Sequence, residues 1–160
     1  MKKYKAVLFD FDYTLADSSK AVVDCISYSL RKMGYTVPTP DSICRTIGLT
    51  LSDAYRELSG DASESNAEIF RSYFKERADA VMKDDTRVFN TVENVLGRLK
   101  DKGLKTGIVS TKYRYRIEDI LERDGLLHYF DIIVGGEDVS AHKPDPEGLL
   151  RAIAALVITR

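Results

Sequence analysis

Three short stretches carry the side chains capable of chemistry: Asp10-Phe11-Asp12-Tyr13-Thr14, Ser110-Thr111 and Lys143-Pro144-Asp145-Pro146. In the first, two carboxylates flank a single residue directly after an apolar run, so on an extended chain they point the same way. Open parallel sheets bind ligands beyond the carboxyl ends of their strands, which would turn both acids toward a crevice. Ser110 and Thr111 close a second apolar run, and Lys143 follows a third by a short loop. An acid pair, a hydroxyl and an ammonium would thereby stand at successive strand ends. Each piece also has a plainer reading: solvated acids in a turn, a buried hydroxyl bonded to a nearby loop, a solvated loop lysine.

The elements that must position these groups follow from apolar spacing. Ala6-Val7-Leu8-Phe9 is continuous rather than alternating, which fits a strand buried on both faces of a parallel sheet. Gly107-Ile108-Val109 and Ile132-Ile133-Val134 resemble it. A helix precedes the second strand, with capping-box spacing at Asn90 and Glu93, a stripe of Val92, Val95, Leu96 and Leu99, and Gly103 as its stop. Another lies between the last two strands, with Ile117, Ile120 and Leu121 on one face and Gly125 after it. This alternation predicts an α/β core with a Rossmann-like parallel sheet, three strands of which are recognisable.

The stretch from about 18 to 83 differs, because it lacks any convincing strand. Val22, Ile26, Leu30 and Met33 repeat at helical spacing before Gly34. Thr39-Pro40-Asp41 starts a second helix, and Thr50 and Asp53 open a third that Gly60 ends. A longer helix is expected on the stripe Ile69, Tyr73, Arg77 and Val81, flanked by Phe70 and Phe74. The expected organisation is therefore a core of residues 1–16 and 84–160 interrupted by an all-helical insert at 17–83.

With the motifs set in order, FDFDYTLADSS, GIVSTK and HKPDPEGLL together resemble the signatures of the haloacid dehalogenase superfamily, in its phosphoglycolate phosphatase-like branch with a helical cap. The resemblance implies a Mg²⁺-dependent phosphatase acting on small phosphate monoesters. It implies that Asp10 attacks phosphorus to give an aspartyl-phosphate, and that Asp12 protonates the leaving alcohol and later takes a proton from water. Ser110 and Thr111 would bind the phosphoryl group, Lys143 would neutralise charge beside the nucleophile, and Asp10 with the Asp12 backbone carbonyl would hold the metal. The chemistry needs such groups because a phosphate ester and a carboxylate repel, so cations and donors must be arranged beforehand. Other anions around Asp12 are expected to raise its pKa. Thr14 is expected to support the turn after Asp12. Tyr13 replaces the glycine most often seen there, with a changed turn or hinge as the consequence. Pyrophosphate is the second substrate class, because GIVSTKYRYRI also looks like pyrophosphatases of this branch.

In that family the lysine motif leads through a helix to another strand bearing metal-binding aspartates. Here 17 residues follow Lys143, and a helix with Leu149, Leu150, Ile153 and Leu156 as its apolar stripe takes most of them. The expected consequences are weak metal binding and an uncovered edge on Ala6 to Phe9, open to self-association. Glu137 and Asp138 read as a solvated loop rather than substitute ligands, and His128 and His142 as loop residues. A non-catalytic phosphate- or metal-binding protein is the rival class. A signalling receiver domain fits poorly, because it has no large helical insert after its first strand.

Composition narrows the partners. With 24 basic and 25 acidic residues spread evenly, the net charge is −1 and no basic block offers a nucleic-acid groove. No apolar run has the length needed to span a bilayer, and the N-terminus meets charge too soon for a signal peptide. Cys25 and Cys44 lack metal-type spacing. The expectation is a reduced, cytoplasmic protein whose partner is a small phosphorylated metabolite.

Overall fold

A computed structural model describes residues 4–156. In chain order the strands are Ala6–Phe9 (β1), Ala16–Asp17 (β2), Arg87–Val88 (β3), Lys105–Val109 (β4) and Ile132–Val134 (β5). The three longer ones form a parallel sheet in the order β1-β4-β5, and β2 with β3 forms a second, two-stranded sheet. The helices are Ser19–Lys32 (α1), Pro40–Cys44 (α2), Leu51–Ser59 (α3), Glu64–Asp85 (α4), Val92–Asp101 (α5), Arg114–Arg123 (α6) and Glu147–Ala155 (α7). Met1–Asp17 with Val88–Arg160 forms one compact unit, and Ser18–Arg87 forms the other. The Rossmann-like parallel sheet expected from the apolar runs is present.

The α/β unit is organised by strand register. Leu8 lies opposite Gly107, and Gly107 opposite Ile132. A Cβ on Gly107 would fall 2.6 Å from Ile132 Cγ2 and 2.7 Å from Leu8 Cδ2, so glycine leaves that face to its branched neighbours. Helix α7 lies against β4 and β5, and α5 against β4. Among the described residues β1 pairs only with β4, and its four residues are half-buried instead of buried on both faces. Two helix stripes also differ from expectation. The buried face of α7 is Gly148, Ala152 and Leu156, while Leu149, Leu150 and Ile153 are exposed. Small residues win there because they let the helix approach the sheet: a Cβ on Gly148 would stand 3.0 Å from Val109 Cγ1. In α5, Val92 and Leu96 are buried but Val95 is exposed. Its N-cap is Thr91, with no side-chain cap bond, so the capping box expected at Asn90 and Glu93 does not form.

Two helices of the helical unit begin at the expected caps, Thr39 and Thr50, and α4 begins at Ser63. Thr39, Thr50 and Ser63 accept hydrogen bonds from the backbone N–H groups of Ser42, Asp53 and Asn66. Gly60 ends α3 with a φ of 72°, where a side chain would be strained. Helix α4 carries two apolar stripes one residue apart. The buried one is Ala67, Phe70, Phe74, Ala78 and Met82, and Ile69 on the other is exposed. Helix α1 packs along α4, and the centroid of the Phe70 ring lies 5.2 Å from that of Tyr55 in α3.

One polar cluster ties α3 to the start of α4. Asp61 Oδ2 accepts from Tyr55 Oη (2.6 Å), Tyr35 Oη (2.7 Å) and Asn66 Nδ2 (2.7 Å), and Oδ1 accepts from Ser63 N (2.8 Å). Donors from Tyr55, Asn66 and Tyr35 hold the Asp61 carboxyl well below the usual carboxylate range. Burial, and then the bond to Asp61, push the Tyr55 phenol well up. A carboxyl depressed in the folded state stabilises the fold above its unfolded pKa, and that contribution drains away as pH falls toward the folded value. Thermal melts of the wild type and Asp61→Asn should show a wild-type advantage in Tm at neutral pH that shrinks below about pH 4. Melting temperatures that differ by the same amount at every pH would show that the charge on Asp61 does not stabilise the fold.

Candidate active site

The acid pair leaves the sheet through a tight turn. Phe11 is fully buried, and its carbonyl accepts the N–H groups of Thr14 (3.2 Å), Leu15 (2.8 Å) and Ala16 (3.2 Å). Tyr13 N returns to Ala16 O at 2.8 Å. This turn requires a left-handed residue, and Tyr13 takes it with a φ of 60°. A side chain in that conformation costs on the order of 1 kcal/mol, which accounts physically for the fit of glycine at such a position. Thr14 contributes its backbone N–H while its side chain is exposed, so the expected support is main-chain in origin.

The turn sends the two acids to different partners. Lys143 Nζ donates to Asp10 Oδ1 at 2.8 Å and to the carbonyl of Val109, the last residue of β4, at 3.3 Å. Lys112 Nζ lies 3.2 Å from Asp12 Oδ1. The first pair is open, with side chains 39% and 40% exposed; the second is enclosed, at 6% and 12%. The described charged partner of Asp12 is therefore a cation. Lys112 itself was not foreseen as a site residue, although it closes the GIVSTK stretch two residues after Ser110.

Behind β4, two loops interlock. Ser110 is buried; its N–H donates to Val134 O (3.0 Å), and its Oγ accepts from Lys112 N (3.1 Å). A hydroxyl that already accepts a bond keeps its own proton for another acceptor. Gly136 N donates to Lys112 O at 3.0 Å. Thr111 meets the same loop through its carbonyl, which a Cβ on Gly136 would approach to 2.4 Å; a Cβ on Gly135 would lie 2.2 Å from Arg114 N. Glu137 is exposed, as expected of a loop acid, and Asp138 is half-buried, yet both accept backbone bonds. Glu137 Oε2 accepts from Arg114 N (2.8 Å), and Asp138 accepts from Gly135 N (2.8 Å) while facing Arg114 Nη2 (3.5 Å).

Lys143 is presented by a loop stapled to α7. The Glu147 carboxylate accepts from Ser140 N (3.0 Å) and Ala141 N (2.8 Å), and these N–H groups hold it below the usual carboxylate range. Asp145 N donates to His142 O, and Asp145 Oδ1 accepts from Glu147 N. The Lys143–Pro144 peptide is cis. His128 stacks on Tyr129, with ring centroids 4.2 Å apart.

Among the described residues no group of three or more His, Cys, Asp or Glu side chains is placed to hold a metal. The donors present still suit Mg²⁺, which prefers oxygen and binds through one or two carboxylates while keeping waters. Asp10 offers such an oxygen on a half-exposed side chain. No helix among the described residues is long and apolar enough to cross a membrane.

An acid pair follows the first strand of a Rossmann-type parallel sheet, Ser110 follows the neighbouring β4, and Lys143 bonds at both strand ends. The haloacid dehalogenase-like hydrolase model matches residues 7–160, and the chain belongs to that family. It is 31% identical to a phosphoglycolate phosphatase of Aquifex aeolicus over 153 residues, which is 95% of this chain and 70% of that protein. It is 29% identical over 154 residues to pyrophosphatase PpaX of Bacillus mycoides, covering 96% of this chain and 70% of that one. A crystal structure from Bacteroides fragilis, of a protein described as a haloacid dehalogenase-like hydrolase, superposes with a TM-score of 0.93 at 48% identity. It covers 96% of this chain and 73% of that one.

The interlock at Gly136 generates a prediction. The blocking atom is a backbone carbonyl, so no rotamer change relieves it, and Gly136→Ala must displace the segment carrying Ser110 to Lys112. Denaturant unfolding should show a loss of about 1–3 kcal/mol. A midpoint equal to the wild type's would mean that the two loops are not held together in this way.

Proposed function

We propose that this chain is a Mg²⁺-dependent phosphatase that hydrolyses small phosphate monoesters of the phosphoglycolate type through an aspartyl-phosphate. The observation that carries the reading is the Asp10–Lys143 bond at the carboxyl ends of β1 and β4, with Ser110 one residue beyond Val109. Lys143 engages Asp10 Oδ1, and in this reading Oδ2 attacks phosphorus. The phosphorus–oxygen ester bond breaks as that bond forms, and Asp12 gives a proton to the departing alcohol oxygen. Water then attacks the acyl phosphate, Asp12 takes its proton, and inorganic phosphate leaves with the Asp10 carboxylate restored. Ser110 Oγ donates to a phosphoryl oxygen, Thr111 lies beside it in the binding loop, and Lys143 offsets the charge shared by nucleophile and phosphate. The Asp10 carboxylate and the Asp12 backbone carbonyl would hold Mg²⁺, which when bound supplies further positive charge at the phosphoryl oxygens.

In this reading Ser18–Arg87 is the substrate-selecting cap. Pyrophosphate is the second substrate class, favoured by GIVSTKYRYRI and by the name of the Bacillus mycoides relative. Hydrolysis of p-nitrophenyl phosphate, phosphoglycolate and pyrophosphate, each with Mg²⁺ and after chelation, tests the proposal. Asp10→Asn should lower the Mg²⁺-dependent rate by roughly 10³-fold or more, because the nucleophile is lost. Equal rates for Asp10→Asn and the wild type would remove Asp10 from the chemistry.

A further inference from the structure

We infer that Lys112 is a positioning residue that fixes the carboxylate of Asp12, an inference resting on the phosphatase reading above. Its peptide group is held on both sides: the N–H donates to Ser110 Oγ at 3.1 Å, and the carbonyl accepts from Gly136 N at 3.0 Å. From that anchored backbone the side chain brings Nζ to 3.2 Å from Asp12 Oδ1, and to 5.9 Å from the ring centroid of fully buried Phe11. One residue thereby orients two groups of the site, Ser110 through its main chain and Asp12 through its ammonium.

Burial separates this lysine from Lys143. The Lys112–Asp12 pair is only 6% and 12% exposed, so both charges are largely stripped of water. Enclosed ion pairs contribute little net stability, because desolvation cancels much of the attraction, and neutral pairs of similar shape often do as well. Stability alone therefore does not explain a charged pair here. What the pair does supply is direction: an ammonium on a fixed backbone leaves the carboxylate little freedom to rotate. Proton transfer to a leaving oxygen depends on that aim, and a misplacement of about 1 Å can cost roughly 100-fold in rate. Lys143, 39% exposed, is instead placed to meet incoming anions.

Lys112→Met in the full chain removes the ammonium and leaves both backbone bonds possible. With p-nitrophenyl phosphate and Mg²⁺, kcat should fall about 10- to 100-fold while KM changes less than about threefold. Lys112→Arg, which keeps a cation, should recover about tenfold or more of the loss. A crystal structure of Lys112→Met should show the Asp12 carboxylate turned away with the Asp10–Lys143 bond unchanged. If the Met variant does not fold, Lys112→Gln and Lys112→Arg are compared in the same way. A folded neutral variant with kcat within about threefold of the wild type overturns the inference, as does equal impairment of the Arg and neutral variants. Loss of rate in Asp10→Asn beside normal rates in the neutral variant removes only the role of Lys112. Normal rates in Asp10→Asn remove the phosphatase reading and this inference with it.

Discussion

The strand register that organises the α/β unit shows in one electrostatic contact, the 2.8 Å bond from Lys143 Nζ to Asp10 Oδ1. It joins residues 133 positions apart, so neither local propensity nor a turn can create it. Parallel pairing of β1 with β4 sets the level of Asp10: Phe9 pairs with Ile108, which puts Asp10 beside Val109. Lys143 donates to the carbonyl of that same Val109. The lysine thus reads the register of the sheet from above. A slip of one residue between β1 and β4 would separate the two acceptors it spans.

Holding a lysine there takes a rigid loop, and the construction of that loop explains the residues around it. Glu147 sits in the first turn of α7, where a carboxylate is favoured by the helix dipole, and it reaches back to two N–H groups of the approaching chain. Gly148 follows because the helix must come close to Val109. The charge of Glu147 and the missing side chain of Gly148 serve one end: they fix where α7 begins, and so where Lys143 emerges.

Much of this was legible in the sequence, and the failures share a cause. The three strands announced themselves as continuous apolar runs, and the caps at Thr39, Thr50 and Gly60 as local hydrogen-bond chemistry. The stripes on α4 and α7 were misassigned because hydrophobicity was weighed above size. In both helices the face that packs is marked by small residues, Ala67 and Ala78 in one and Gly148 and Ala152 in the other. The strongest apolar side chains of α7 stay exposed. Periodicity finds a stripe, but close approach chooses between stripes one residue apart. The bonds of Glu137 and Asp138 are likewise hidden from the sequence, because their partners include backbone N–H groups that no pattern of side chains reveals.

Lys112 escaped notice for a related reason, and its geometry shows how the site divides its charges. Two carboxylates at the mouth of one sheet repel each other, and two lysines relieve that repulsion in opposite ways. Lys143 keeps its pair half in water, where the attraction is screened and the partner can be exchanged. Lys112 closes its pair away from water, where exchange would leave a buried charge without compensation. The open pair leaves Asp10 within reach of solvent, and the enclosed pair largely removes Asp12 from it. The difference lies in the two environments rather than in the residue types, since both pairs are an aspartate with a lysine. Exposure at the strand ends, more than the motif itself, is what gives Asp10 and Asp12 distinct physical characters.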